Sequence, residues 1–149
     1  MTTADDVLGV KDEVHAMLDR YLAAARALDL DGIVSHYAPE IVAYDAIAQL
    51  EFKGIEAYKA HWKMCLEHCE NMVFEPREPT VLVSGDLASG FYLLRCGGTG
   101  PDGKEHTSWM RATFAACKRD GRWLFVHEHY SMPFDPMTSK VIGDLVPQG

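Results

Sequence analysis

The chain has 149 residues, 48% of them apolar and 24% charged, a balance typical of a folded, water-facing domain. A formal charge of −8 and the scatter of its 14 Lys and Arg residues exclude a nucleic-acid partner, because phosphate backbones require clustered cations. No apolar run is long enough for a membrane helix. The start, Met1-Thr2-Thr3-Ala4-Asp5-Asp6, lacks the basic-then-apolar order of a secretory signal, so the expected compartment is the cytoplasm.

In chain order, Val10, Val14, Met17, Leu18, Tyr21, Leu22, Ala25 and Leu28 recur at helical spacing and predict a first helix over about residues 10–28. Asp31 is the expected cap of a short second helix carrying Ile33, Val34 and Tyr37 and ending before Pro39. Ile41 to Tyr44 reads as a strand, with Glu51-Phe52 as a short return. Gly54 precedes a third helix with Tyr58, Trp62, Cys65 and Cys69 along one side. Strands are then predicted over 72–74, 80–84, 87–96, 106–117 and 122–131, separated by turns at Gly85-Asp86, Gly97 to Gly103 and Asp120-Gly121. Helices first and strands afterwards is an α+β layout. One domain is expected over 1–149, with its core at about 8–132 and a tail from Pro133 that wraps irregularly or stays mobile.

No phosphate-binding glycine loop, dinucleotide fingerprint or zinc signature is present, so no cofactor is expected. Cys65, Cys69, Cys96 and Cys117 show no disulfide framework and are read as reduced thiols. His61, Cys65 and Cys69 share a helix face, but ligands spread over two turns span about 12 Å. A core stripe explains them better, and no metal site is predicted there or at His127 and His129.

Asp45 is a lone carboxylate within Ile41-Val42-Ala43-Tyr44-Asp45-Ala46-Ile47. It is either a strand-end residue facing water or a site residue, since a buried carboxylate is costly unless it is hydrogen-bonded or used. Burial would raise its pKa toward the range of a general base. Alternation puts Trp109, Arg111 and Thr113 on one strand face and Met110, Ala112 and Phe114 on the other. Arg111 is then a surface ion-pair partner or an anion clamp, the clamp being preferred for its bidentate geometry. A regular last strand sends His127 and His129 to one face with Trp123 and Phe125, and Glu128 to the other with Val126 and Tyr130. A single bulge would swap these faces.

Tyr21, Tyr37, Asp45, Gly54 and Trp62 form a ladder whose intervals resemble those of ketosteroid isomerase: Asp45 follows Tyr21 by 24 positions and Gly54 follows Asp45 by nine. The element order and the closing stretch Asp120-Gly121-Arg122-Trp123-Leu124-Phe125 to Ser131 resemble the nuclear-transport-factor-two-like superfamily and its SnoaL-like members. The resemblance implies a cone-shaped α+β barrel, three N-terminal helices packed on a strongly bent antiparallel sheet. It further implies that Tyr21 is the oxyanion-donor tyrosine and Asp45 the proton-moving carboxylate, with Tyr37 and Trp62 where the isomerase keeps two supporting tyrosines. Trp62 departs from that pattern, because an indole donates one hydrogen bond and accepts none. Thr113 stands where the isomerase has a protonated carboxyl, so its strong two-donor oxyanion hole is missing and steroid isomerisation is disfavoured.

Arg111 would instead bring a cation into the cone. Turn length matched to the isomerase places Glu128 and Tyr130 inside, while His129 is the alternative acid–base residue. The expected function is a cofactor-independent lyase, dehydratase, cyclase or isomerase acting on a small aromatic or polyketide-like molecule. Asp45, Tyr21, Arg111, Glu128 and His129 are its candidate catalytic residues; Trp62, Trp109, Tyr37, Tyr92, Thr113, Tyr130 and His61 would line the substrate. A non-catalytic binding or dimerisation domain is the alternative. Apolar residues on both faces of the later strands predict a homodimer formed through the outer sheet face.

Overall fold

The computed structural model describes residues 3–149; Met1 and Thr2, which open the acidic start, lie outside the described residues. Helix α1 runs Ala4–Arg26 and begins on a capping box. Thr3 Oγ1 accepts from the Asp6 amide at 3.1 Å, and Asp6 accepts from the Thr3 amide at 3.0 Å. Two amides left free by the first turn are thereby satisfied, which extends the helix a turn and a half upstream of the predicted stripe. Val14, Met17, Leu18, Tyr21, Leu22 and Ala25 form its buried face.

Helix α2 spans Leu30–Val34, and its cap is Asp29, not Asp31: the Asp29 carboxylate accepts from the Gly32 amide. Tyr37 does not continue that helix but opens strand β1, Tyr37–Tyr44. Strand β2 is Phe52–Lys53 and helix α3 is Ile55–Glu67. Gly54 caps α3 at φ 89°, a left-handed conformation that explains glycine there.

Strands β3 (Val73–Ser84), β4 (Leu87–Thr99), β5 (Glu105–Arg119) and β6 (Arg122–Ser131) follow. The two strands predicted before Gly85 are one, interrupted by a register shift between Arg77 and Thr80. Asp120 and Gly121 both have positive φ, matching the right-handed twist of the hairpin they close. The sheet order is β2-β1-β6-β5-β4-β3, and β1 lies parallel to β6, so the bent sheet is mixed rather than wholly antiparallel. It remains open as a cone, with the three helices across its concave side. The tail forms a short hairpin of β7 (Phe134–Asp135) and β8 (Lys140–Val141). Its last residues, among them Leu145 and Val146, form one wall of a groove that Trp109 and Arg111 also line.

One irregularity decides what faces the core. In the β5–β6 pairing Ala115 stands opposite His127 and Ala116 opposite Phe125, which leaves Val126 as an extra residue. This bulge flips the alternation midway along β6. Trp123 and Phe125 point inward on one side of it, and Glu128 and Tyr130 point inward on the other. Trp123 and Phe125 therefore share the inner face with Glu128, and not with the histidines as a regular strand would require.

Candidate active site

Two polar clusters occupy the cone. The first joins the end of β1 to α3. Asp45 Oδ2 lies 2.5 Å from His61 Nε2, and Asp45 Oδ1 accepts from the Ala46 amide at 2.6 Å. The His61 ring stacks on Phe52 at 4.2 Å between centroids, which fixes its orientation, and Cys65 Sγ is 3.7 Å from the same Nε2. The His61 side chain is 3% exposed and that of Asp45 15%. Burial pulls the His61 pKa down, but the hydrogen bonds to Asp45 and Cys65 outweigh it and raise the value to about 9. Through neutral pH the imidazole therefore keeps its proton beside Asp45.

The second cluster is sealed. Glu128, 2% exposed, accepts from the hydroxyls of Tyr37 at 2.7 Å and Tyr58 at 2.8 Å on Oε2, and from Tyr130 at 3.1 Å on Oε1. Tyr21 lies behind them, 2.8 Å from the Tyr130 hydroxyl and 2.9 Å from that of Tyr37. The Trp62 indole donates to the Tyr37 hydroxyl at 2.9 Å, so Trp62 ends the chain as a donor in place of a tyrosine. Burial lifts the Glu128 pKa to about 7 even though the tyrosine hydroxyls favour its charged form. Burial likewise drives Tyr21, Tyr37, Tyr58 and Tyr130 well above the ordinary phenol value, so all four keep their protons.

A cavity of about 350 Å³, at the small end of ligand-site sizes, opens between α3 and the β4–β5 hairpin. Asp45, Trp62 and Tyr130 reach its wall, together with the sulfur-bearing Cys65, Met72 and Met110. Of the twelve predicted site residues these three meet the cavity directly. His61 and Glu128 stand one hydrogen bond behind Asp45 and Tyr130. Tyr21 and Tyr37 are core residues that reach the wall only through Tyr130 and Trp62. Tyr92 is buried on the inner face of β4, its phenol raised by burial and by the charge of Glu128.

Four expectations are corrected. Arg111 lies on the outer sheet face, where its Nε donates to Ser131 Oγ at 3.1 Å, so it brings no cation into the cone. Trp109 and Thr113 share that outer face, since Ala112 and Phe114 take the inner one. Phe114 packs against Phe125 at 5.1 Å, and its ring fills the space over Gly90 that any Cβ would occupy. His129, opposite Thr113 in the ladder, is exposed and turns an edge to Tyr44, outside the cavity. Tyr58, by contrast, was not singled out for function. Its only signal is the interval of four to Trp62, which places both on one face of α3.

The model of the SnoaL-like domain matches residues 14–135. The chain belongs to the SnoaL-like domain family. Among solved structures, this SnoaL-like chain is similar to an NTF2-like protein of unknown function from Pseudomonas putida KT2440. The two are 42% identical, the match covers 94% of this chain and 98% of that one, and the TM-score is 0.88. A proposed calcium/calmodulin-dependent protein kinase II association domain from Xanthomonas campestris is 27% identical over 80% of this chain and 84% of its own, with a TM-score of 0.71. A proposed dehydratase of the NTF2-like family from Streptomyces avermitilis, 17% identical over 87% and 97% with a TM-score of 0.75, shares the fold alone. No curated protein matches. Among the described residues no helix is long and apolar enough to cross a membrane.

Proposed function

We propose that this SnoaL-like chain is an acid–base enzyme of lyase, dehydratase, cyclase or isomerase type, acting on a small aromatic or polyketide-like molecule in the 350 Å³ cavity. One observation carries the reading: a carboxylate–imidazole pair 2.5 Å apart meets, through Asp45, an apolar cavity whose wall Tyr130 shares. Asp45 takes a proton from a carbon or hydroxyl of the substrate, and the His61 imidazolium orients it and holds a proton to return. Tyr130 takes the donor role that the ladder assigned to Tyr21, and stabilises negative charge on a substrate oxygen. Trp62 and Phe74 offer aromatic surface beside it. Proton transfer of this kind calls for neither a redox cofactor nor a metal.

Deuterium uptake provides the test. A panel of small aromatic ketones and β-hydroxyketones, incubated with the protein in D2O, is read by NMR for exchange next to the carbonyl. Wild type should catalyse exchange or water loss for at least one member, and Asp45→Asn should not. Equal rates for the two proteins would remove Asp45 as the base.

The second reading is a non-catalytic small-molecule-binding or dimerisation domain, which the likeness to a proposed association domain favours. Leu82, Leu87 and Phe91 are 55%, 53% and 49% exposed on the outer strands, an apolar area suited to a second copy. Under either reading a homodimer is expected, and light scattering that returned the 16.6 kDa monomer mass at micromolar concentration would refute it.

A further inference from the structure

Glu128 is a fully buried carboxylate with no Lys or Arg among its hydrogen-bond partners in the described residues. Such a group is expensive to bury, and three tyrosine hydroxyls from three different elements converge on it. Packing alone would be served as well by an apolar side chain, so the arrangement calls for another account. Only one of the three hydroxyls, that of Tyr130, belongs to a residue that also lines the cavity. We propose that Glu128 is the proton store of this site, loaded and emptied through the Tyr130 hydroxyl. The catalytic part of this proposal rests on the acid–base reading above; the storage and its route do not.

The hydrogen-bond pattern supports both end states without moving a heavy atom. With Glu128 ionised, Tyr37 and Tyr58 donate to Oε2, Tyr130 donates to Oε1, and Tyr21 donates to Tyr130. Each of these four phenolic protons then has an acceptor. With Glu128 protonated on Oε1, that O–H donates to the Tyr130 oxygen instead, and the Tyr130 proton is free to turn toward Tyr21 or the cavity. In the transfer step the Tyr130 O–H bond breaks as a bond from that proton to an anionic substrate oxygen or carbon forms. The Glu128 O–H bond breaks as the Tyr130 O–H is remade, leaving a neutral substrate and a Glu128 carboxylate held by three donors.

Reversal loads the store. Tyr130 thus acts as the acid without ever being left as a phenolate, which its burial disfavours strongly. Glu128 works through Tyr130 and is a positioning and storing residue, not one that touches substrate.

The groups facing Glu128 do not supply a competing titration near neutrality. They are Tyr21 from α1, Tyr37 from β1, Tyr58 from α3, Tyr92 from β4 and Tyr130 on its own strand, all phenols held protonated. From β5, Ala112 and Phe114 stand opposite Tyr130 and Glu128 and carry no charge. Burial places the Glu128 carboxyl near 7, where a store exchanges protons with little bias.

Infrared spectroscopy of the full chain tests storage and route with no substrate required, so a failure here is separate from a failure of the Asp45 experiment. Below about pH 7 the wild type should show the C=O stretch of one buried, protonated carboxylic acid, and Glu128→Gln should lack it. On transfer to D2O this band shifts as the proton exchanges. Tyr130→Phe should slow that shift about tenfold or more, because exchange must then wait for local opening of the core. Tyr58→Phe and Tyr37→Phe should leave its rate unchanged. Absence of the band in wild type overturns the store. An unchanged rate in folded Tyr130→Phe overturns the route, and so does slowed exchange in Tyr58→Phe or Tyr37→Phe, a result that can be read even if Tyr130→Phe fails to fold.

Discussion

The two polar clusters of the cone make an instructive pair. Asp45–His61 sits at the cavity rim, pairs opposite charges and keeps its imidazole protonated to about 9. Glu128 sits in the interior with neutral donors only, and burial lifts it to about 7. A nearby opposite charge favours the charged form, whereas desolvation opposes it. One cone therefore holds an ion pair and, in a separate hydrogen-bonded cluster, a carboxyl whose pKa burial has raised to about 7. Under the proposed function the pair takes a proton from a bound molecule and the buried carboxyl holds one in reserve.

The largest expected effect breaks the rim pair. Asp45→Asn keeps shape while removing the basic oxygen, so kcat should fall by about a hundredfold to ten-thousandfold with KM little changed. The measurement is steady-state turnover of whichever panel compound shows exchange, and a loss of threefold or less would sink the role. Next comes the residue through which the Glu128 cluster meets the cavity wall. Tyr130→Phe removes a donor aimed at developing charge and should cost about a hundredfold to a thousandfold in kcat. Tyr21→Phe, one hydrogen bond further from the cavity, should cost clearly less; if the order is reversed, Tyr21 and not Tyr130 meets the substrate.

A smaller effect should appear in stability against pH. The Glu128 carboxyl titrates at about 7 in the folded chain and at the usual 4.5 when unfolded. Between these values the folded state holds a proton that the unfolded state has lost, so this contribution is full below 4.5 and disappears as pH rises through 7. The loss amounts to roughly 3 kcal/mol at most. Urea midpoints at several pH values, wild type minus Glu128→Gln, should show that decline; a flat difference would mean that Glu128 is ionised throughout. His61 adds a second decline at higher pH. Its contribution is present below the ordinary 6.5 and is lost as pH rises through about 9, and His61→Gln should abolish it.

The smallest effect is a control on the faces of the sheet. Arg111 is exposed and bonded to Ser131 outside the cone, so Arg111→Ala should leave turnover within about twofold and stability within about 0.5 kcal/mol. A tenfold rise in KM would falsify the outward placement.

How much of this was readable in the residues depends on how local the cause was. The buried stripe of α1, the glycine cap of α3 and the Asp120-Gly121 hairpin follow from spacing and backbone preference, and the sequence alone determined them. The interval from Tyr21 to Asp45 pointed to the cone, and Asp45 does border its cavity. The face of Arg111 was not readable, because Trp109-Met110-Arg111-Ala112-Thr113-Phe114 alternates between two faces that both carry apolar groups. Only the packing of Phe114 over Gly90 and against Phe125 selects the inner one.

The Val126 bulge is likewise invisible in composition, yet that one extra residue places Trp123, Phe125, Glu128 and Tyr130 on a single face. Partners were the least legible of all. Asp45 finds His61 on another element, and Glu128 gathers hydroxyls from β1, α3 and its own strand. Sequence determined which chemical groups the chain owns and how each segment folds locally. Tertiary structure decided which of those groups lose water and which meet, because burial and short hydrogen bonds across the cone depend on the packing of the whole sheet against its helices.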